Sequence, residues 1–90
     1  QSIDAPEIDM TVYPNPVQNE FSISFDMVQT GDVSVNVYSL SGAKLKTYDF
    51  PNILSGLQNL NIDVSSLNRG TFIVQLVTDH QKHVKKIMKL

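Results

Sequence analysis

Apolar and polar residues alternate in short stretches along most of this chain. Phe21, Ile23 and Phe25 are separated by Ser22 and Ser24, Val33, Val35 and Val37 by Ser34 and Asn36, and Leu60, Ile62 and Val64 by Asn61 and Asp63. Successive side chains of an extended strand point to opposite faces. A period of two therefore gives each stretch one face to bury and one to leave in water. The stretches recur roughly every 10–12 residues with turn-forming residues between them, the spacing of a sandwich or barrel. No stretch keeps a helical period.

The pattern predicts seven strands. Residues 1–7 are polar, contain Pro6 and read as a linker, which leaves residues 8–90 as the folded domain. Ile8, Met10 and Val12 alternate with Asp9 and Thr11 in a first strand that stops at Tyr13-Pro14-Asn15-Pro16. Each proline lacks an N–H and pushes the residue before it into an extended conformation, so a rigid corner is expected. The second strand covers Phe21 to Phe25 and ends in the turn Gln29-Thr30-Gly31-Asp32. The third, Val33 to Tyr38, closes in Ser39-Leu40-Ser41-Gly42, where Gly42 can supply a positive φ. A fourth runs from Ala43 to Phe50 with Leu45 inward and Lys44 and Lys46 outward. A loop bounded by Pro51-Asn52 and Ser55-Gly56 precedes the fifth strand around Leu60, Ile62 and Val64.

Ser65 to Arg69 reads as a single helical turn, capped by Ser65 and ended by Gly70. The sixth strand, Thr71 to Thr78, is apolar on both faces, which suits a central position. After a hairpin turn at Asp79-His80-Gln81, the last strand has two readings. Val84, Lys86, Met88 and Leu90 share one face; Lys85, Ile87 and Lys89 share the other. A one-residue bulge would reconcile them. The expected core of this all-β, seven-stranded sandwich is Met10, Val12, Phe21, Ile23, Phe25, Val33, Val35, Val37, Leu45, Leu60, Ile62, Phe72, Val74, Leu76 and Met88.

Composition narrows the function. With 90 residues, 41% of them apolar and 18% charged, the chain suits one globular domain. A domain of this size buries only ~60–65% of its unfolded surface, which leaves no room for a deep cleft beside the core. Without cysteine there is neither a disulfide framework nor a thiolate zinc site. A net charge of −2 argues against a nucleic-acid binder. No apolar run approaches the ~20 residues of a membrane-spanning helix. A first residue of Gln rather than Met leads to the expectation of a longer precursor, with any export signal upstream.

The charge is unevenly placed. Residues 1–32 carry Asp4, Glu7, Asp9, Glu20, Asp26 and Asp32 with no Lys or Arg; residues 82–90 carry Lys82, Lys85, Lys86 and Lys89 with no acid. Lysines on an edge strand discourage unwanted pairing, and they also mark an end that a partner can recognise.

Candidate chemistry is sparse. His80 and His83 flank a turn with Asp79, but a metal site needs three or four converging ligands and a supporting shell, so no metal or cofactor is expected. Ser, His and Asp occur without a nucleophile elbow, a zinc helix or a phosphate loop, and no catalytic residue is assigned. Tyr13, Tyr38 and Tyr48 offer the only candidates for a sugar-binding platform, without a spaced acid–aromatic pattern behind them.

Four motifs in order carry a family likeness: Val12-Tyr13-Pro14-Asn15-Pro16, Val37-Tyr38-Ser39-Leu40-Ser41-Gly42, Leu67-Asn68-Arg69-Gly70-Thr71-Phe72-Ile73-Val74, and the ending Lys85-Lys86-Ile87-Met88-Lys89-Leu90. Together they resemble the C-terminal sorting domain of type IX (Por) secretion cargo, over about residues 10–90. Phe72 stands where the family has Tyr, and Ser39 where it often has Asp or Asn; both changes keep shape and polarity. The resemblance implies an immunoglobulin-like sandwich that directs an upstream cargo domain to the outer-membrane translocon. It implies an outer-membrane shuttle protein, the translocon and a sortase-like cysteine protease as partners, with passage through the periplasm to the cell surface or medium.

On this view recognition falls on Lys82, Lys85, Lys86, Ile87, Met88, Lys89 and Leu90, through strand addition steered by the lysines toward an acidic surface. Tyr13, Pro14, Asn15, Pro16, Gly42, Gly70 and Phe72 are the structural family positions, with Gly42 and Gly70 as turn residues. Cleavage falls in the linker around Gln1, Ser2, Ile3 and Asp4. An exposed edge also permits a weak homodimer. The competing reading is an accessory sandwich module of a secreted enzyme, binding polysaccharide or spacing domains.

Overall fold

The computed structural model describes residues 10–79 and 81–90. Its strands are β1 (Thr11–Tyr13), β2 (Glu20–Met27), β3 (Gly31–Ser39), β4 (Lys44–Ile53), β5 (Gly56–Asp63), β6 (Gly70–Val77) and β7 (Lys82–Lys89). They form two antiparallel sheets, ordered β1-β2-β5 and β4-β3-β6-β7, packed as a sandwich in an arrangement compatible with the immunoglobulin-like class. The linker reading and Ile8 lie outside the described residues.

The inner faces follow the alternation. Phe21, Ile23, Phe25, Leu60 and Ile62 from one sheet meet Val33, Val35, Val37, Phe72, Val74 and Leu76 from the other, all buried. Each large side chain so buried contributes ~1.5–3 kcal/mol before chain entropy is subtracted. Val12 is half-buried against this core. Four further core residues, Val17, Met27, Val64 and Ile87, are absent from the expected core; the first three lie just outside or at the ends of the alternating stretches, and Ile87 lies in the ambiguous last strand. β6 sits between β3 and β7, the interior position its two apolar faces suggested.

The outer face of the four-stranded sheet is tied by polar side chains. Thr47 donates to Asn36 Oδ1 at 3.0 Å, and Asn36 Nδ2 donates to Gln75 Oε1 at 3.1 Å. Tyr38 donates to the same Gln75 oxygen. Asn36 is buried by its neighbours and fully engaged, so its burial carries no unsatisfied-group penalty.

Several expectations need correction. β4 turns its other face inward. Val37 pairs with Lys46 and Tyr38 with Lys44, so Leu45 is the extra residue of a bulge and is exposed rather than buried. Lys46, Tyr48 and Phe50 take the half-buried side. The expected loop from Pro51 is a continuation of β4. A second irregularity, between the Phe50 and Ile53 pairings, takes in Pro51 and Asn52, with Asn52 at φ 57°. Proline is tolerated there because β4 is an edge strand. Ser65 to Arg69 is a turn, not a helical one, closed by the Leu67 N–H on the Val64 carbonyl at 3.0 Å. In β7 the register is continuous without a bulge. Ile87 and Lys89 point inward, and Met88 is 49% exposed rather than part of the core.

Candidate interaction edge at the C-terminal strand

Among the described strands, β7 lies at the edge of its sheet and pairs with β6. Phe72 lies opposite Ile87, Val74 opposite Lys85 and Leu76 opposite His83. The chain between β1 and β2 leaves the three-stranded sheet at Tyr13 and crosses to the far side of β7. There the Asn15 side-chain oxygen accepts the Met88 N–H at 3.0 Å. The Val17 N–H donates to the Met88 carbonyl and the Leu90 N–H donates to the Val17 carbonyl, both at 2.8 Å. Val17 thus makes a parallel bridge to Lys89, and its side chain is fully buried. The Tyr13-Pro14 and Asn15-Pro16 bonds are both cis.

These contacts fix which way the β7 backbone faces. In an antiparallel ladder, alternate residues direct N–H and C=O toward one neighbour. Met88 and Leu90 face outward, so Lys82, Val84 and Lys86 do too. Among the described residues nothing pairs with the outward groups of these three. The edge is therefore divided: its C-terminal half is closed by Asn15 and Val17, and its first half is open.

The sequence-predicted recognition residues separate along this division. Lys82, Lys85 and Lys86 are exposed. Met88 and Leu90 show their side chains but have their outward backbone groups engaged. Ile87 is in the core, and Lys89 is 9% exposed, so neither side chain is displayed. Val84, 58% exposed between two lysines on the open half, was not singled out from sequence, and neither was Val17. An apolar residue directly after a Pro-Asn-Pro corner, in an otherwise polar stretch, is the signal that would have pointed to Val17. Beside the closed half, a shallow groove of about 480 Å³ runs between Pro16, Leu40, Thr71 and Met88.

The other motif residues are structural in place. Gly42 (φ 97°) lies in the β3–β4 turn, where its N–H donates to the Ser39 carbonyl. Gly70 (φ 144°) opens β6 rather than ending a helix. Phe72 packs in the core. The three tyrosines do not share a platform. Tyr13 lies on the three-stranded sheet with its hydroxyl toward Asn59, Tyr38 on the outer face of the other sheet, and Tyr48 donates to the Asp63 carbonyl at 2.6 Å. Gln1 to Asp4, the expected cleavage region, and His80 lie outside the described residues.

An exposed, lysine-bearing edge strand on a sandwich is a surface suited to strand addition by another protein. The kind of protein follows from comparison: the chain belongs to the secretion system C-terminal sorting domain family, whose model matches residues 11–90. It is a C-terminal sorting signal for type IX secretion cargo, and it works through interaction with that secretion machinery. The family is a sorting signal rather than a catalytic one, and its cargo is secreted across the outer membrane. A search of curated proteins finds no match to the chain.

Proposed function

We propose that this domain carries a cargo on its N-terminal side to the outer-membrane translocon by presenting β7, and that it catalyses no reaction itself. The observation that carries the reading is the division of β7: a basic, open stretch at Lys82–Lys86 anchored by a terminal half built into the fold. A signal of this kind has to be exposed and yet survive as part of a folded domain. The specific partners are a shuttle protein of the outer membrane, the translocon, and a sortase-like cysteine protease. The protease removes the domain within residues 1–7, around Gln1 to Asp4. A family match that begins only at residue 11 supports a linker before the sandwich. The route runs through the periplasm to the cell surface or the medium.

The test is a reporter. A fluorescent protein directed to the periplasm and fused ahead of residues 1–90 should reach the surface or the medium of a host with a type IX system. Removing Lys85–Leu90 should hold it in the periplasm. That deletion also takes Ile87 from the core, so circular dichroism of the purified fusion has to accompany it. Periplasmic retention of the intact fusion would refute the export reading.

A further inference from the structure

The open half of β7 specifies what it can pair with. Lys82, Val84 and Lys86 direct backbone groups outward, and their side chains all stand on the outer face of the four-stranded sheet. In a strand added along this edge, the residues directly opposite these three would lie on the same face, with Cβ atoms ~4.5–5.5 Å away. The favourable partners are an acid opposite each lysine and an apolar residue opposite Val84. Lys85, exposed on the other face, adds to the positive field without changing the pattern.

The structure also limits length. Asn15 and Val17 already occupy the outward groups of Met88 and Leu90, so an added strand stops before them. Its footprint is Lys82 to Lys86, about 17 Å at ~3.4 Å per residue.

We infer that the Lys82–Lys86 edge takes up an extended protein segment whose alternate residues read acid, apolar, acid. This rests on the export reading for its biological setting, while the pairing itself rests on the edge chemistry. A second copy of the chain is the wrong occupant. Antiparallel self-pairing centred on Val84 sets Lys82 against Lys86 at both ends, and directly opposed like charges destabilise a ladder. The lysines thus act against the homodimer that a bare edge permits.

The experiment uses the 90-residue chain and a labelled peptide reading Glu-Thr-Val-Thr-Glu, extended by neutral residues. Binding is followed by anisotropy and by the exchange of the β7 amides. The acidic peptide should bind and slow exchange at Lys82, Val84 and Lys86, with affinity falling as salt rises. A peptide with Lys in place of both Glu should bind at least ~10-fold more weakly. Val84→Pro removes an N–H that β6 does not use, so the variant should keep its fold and lose peptide binding. Equal binding of both peptides, no amide protection, or unchanged binding by a folded Val84→Pro would overturn the inference. So would concentration-dependent dimerisation through this edge. The same variant in the reporter fusion separates the two claims. Normal export of Val84→Pro would sink strand addition at this edge and leave the sorting role standing, whereas failed export of the unaltered fusion sinks the sorting role.

Discussion

Asn15 lies 73 residues from the backbone group it supports, the Met88 N–H. One side-chain oxygen and the paired bonds of Val17 hold the terminal strand to the body of the sandwich. Asn15→Ala should destabilise the domain by about 1 kcal/mol, the usual net value of a single hydrogen bond. In thermal unfolding that is a loss of roughly 4–8 °C for a domain of this size. Asn15→Asp keeps the acceptor and should retain most of the stability. A second residue-scale tie closes the opposite side, where the Tyr48 hydroxyl meets the Asp63 carbonyl. The backbone N–H of Ser65, bonded to Asp63 Oδ1 at 2.8 Å, holds the Asp63 carboxyl below the usual carboxylate range, helped by the Ser65 hydroxyl and by Lys46. A depressed carboxyl stabilises the fold above its unfolded pKa, and the effect disappears as pH falls through the lower folded value. NMR titration should show Asp63 protonating below ordinary aspartates, and Asp63→Asn should make the acid limb of unfolding shallower. Tyr48 is pushed up, first by burial and then by the Asp63 charge. Its contribution is present below the ordinary tyrosine range and is lost as pH rises through the elevated folded value. The phenol should therefore ionise later than a free tyrosine in an ultraviolet titration.

At the scale of elements, β7 tests the architecture most simply. Ile87 is fully enclosed and its neighbour Met88 is half out. Ile87→Ala should cost about 2–5 kcal/mol, and Met88→Ala should stay within roughly 0.5 kcal/mol. Equal losses on denaturant unfolding would contradict the register. The sequence left this strand ambiguous because both of its faces carry lysine and an apolar residue. The tie is broken by Val17 and Asn15, which come from the other end of the chain and are invisible to local alternation. The same limit explains β4. Leu45 reads as inward because it is the apolar residue between Lys44 and Lys46, yet the inner side of β4 is set by Tyr48 and Phe50, and Leu45 is the extra residue of a bulge. Where strands have one clean face, as in β2, β3, β5 and β6, alternation alone placed their core residues apart from Met27 at the end of β2. The residues proposed for recognition are visible in the sequence as a basic terminal strand. Their division into open and closed halves is not, since it depends on a long-range crossing between sheets.

Across the whole molecule, charge and topology point to the same edge. Glu20 and Asp26 stand on the three-stranded sheet, and the open stretch of β7 carries Lys82, Lys85 and Lys86 at the margin of the other. The four-stranded sheet has a second margin, β4, which carries Lys44 and Lys46 but is bent by its bulges away from regular pairing. These two margins provide a matched comparison inside one protein. The decisive measurement is the export of the reporter fusion carrying Lys82→Glu with Lys86→Glu, set against Lys44→Glu with Lys46→Glu. Both pairs change the charge equally, and circular dichroism verifies that both fold. The account predicts periplasmic retention for the β7 pair and near-normal delivery for the β4 pair. Equal export of the two would contradict it.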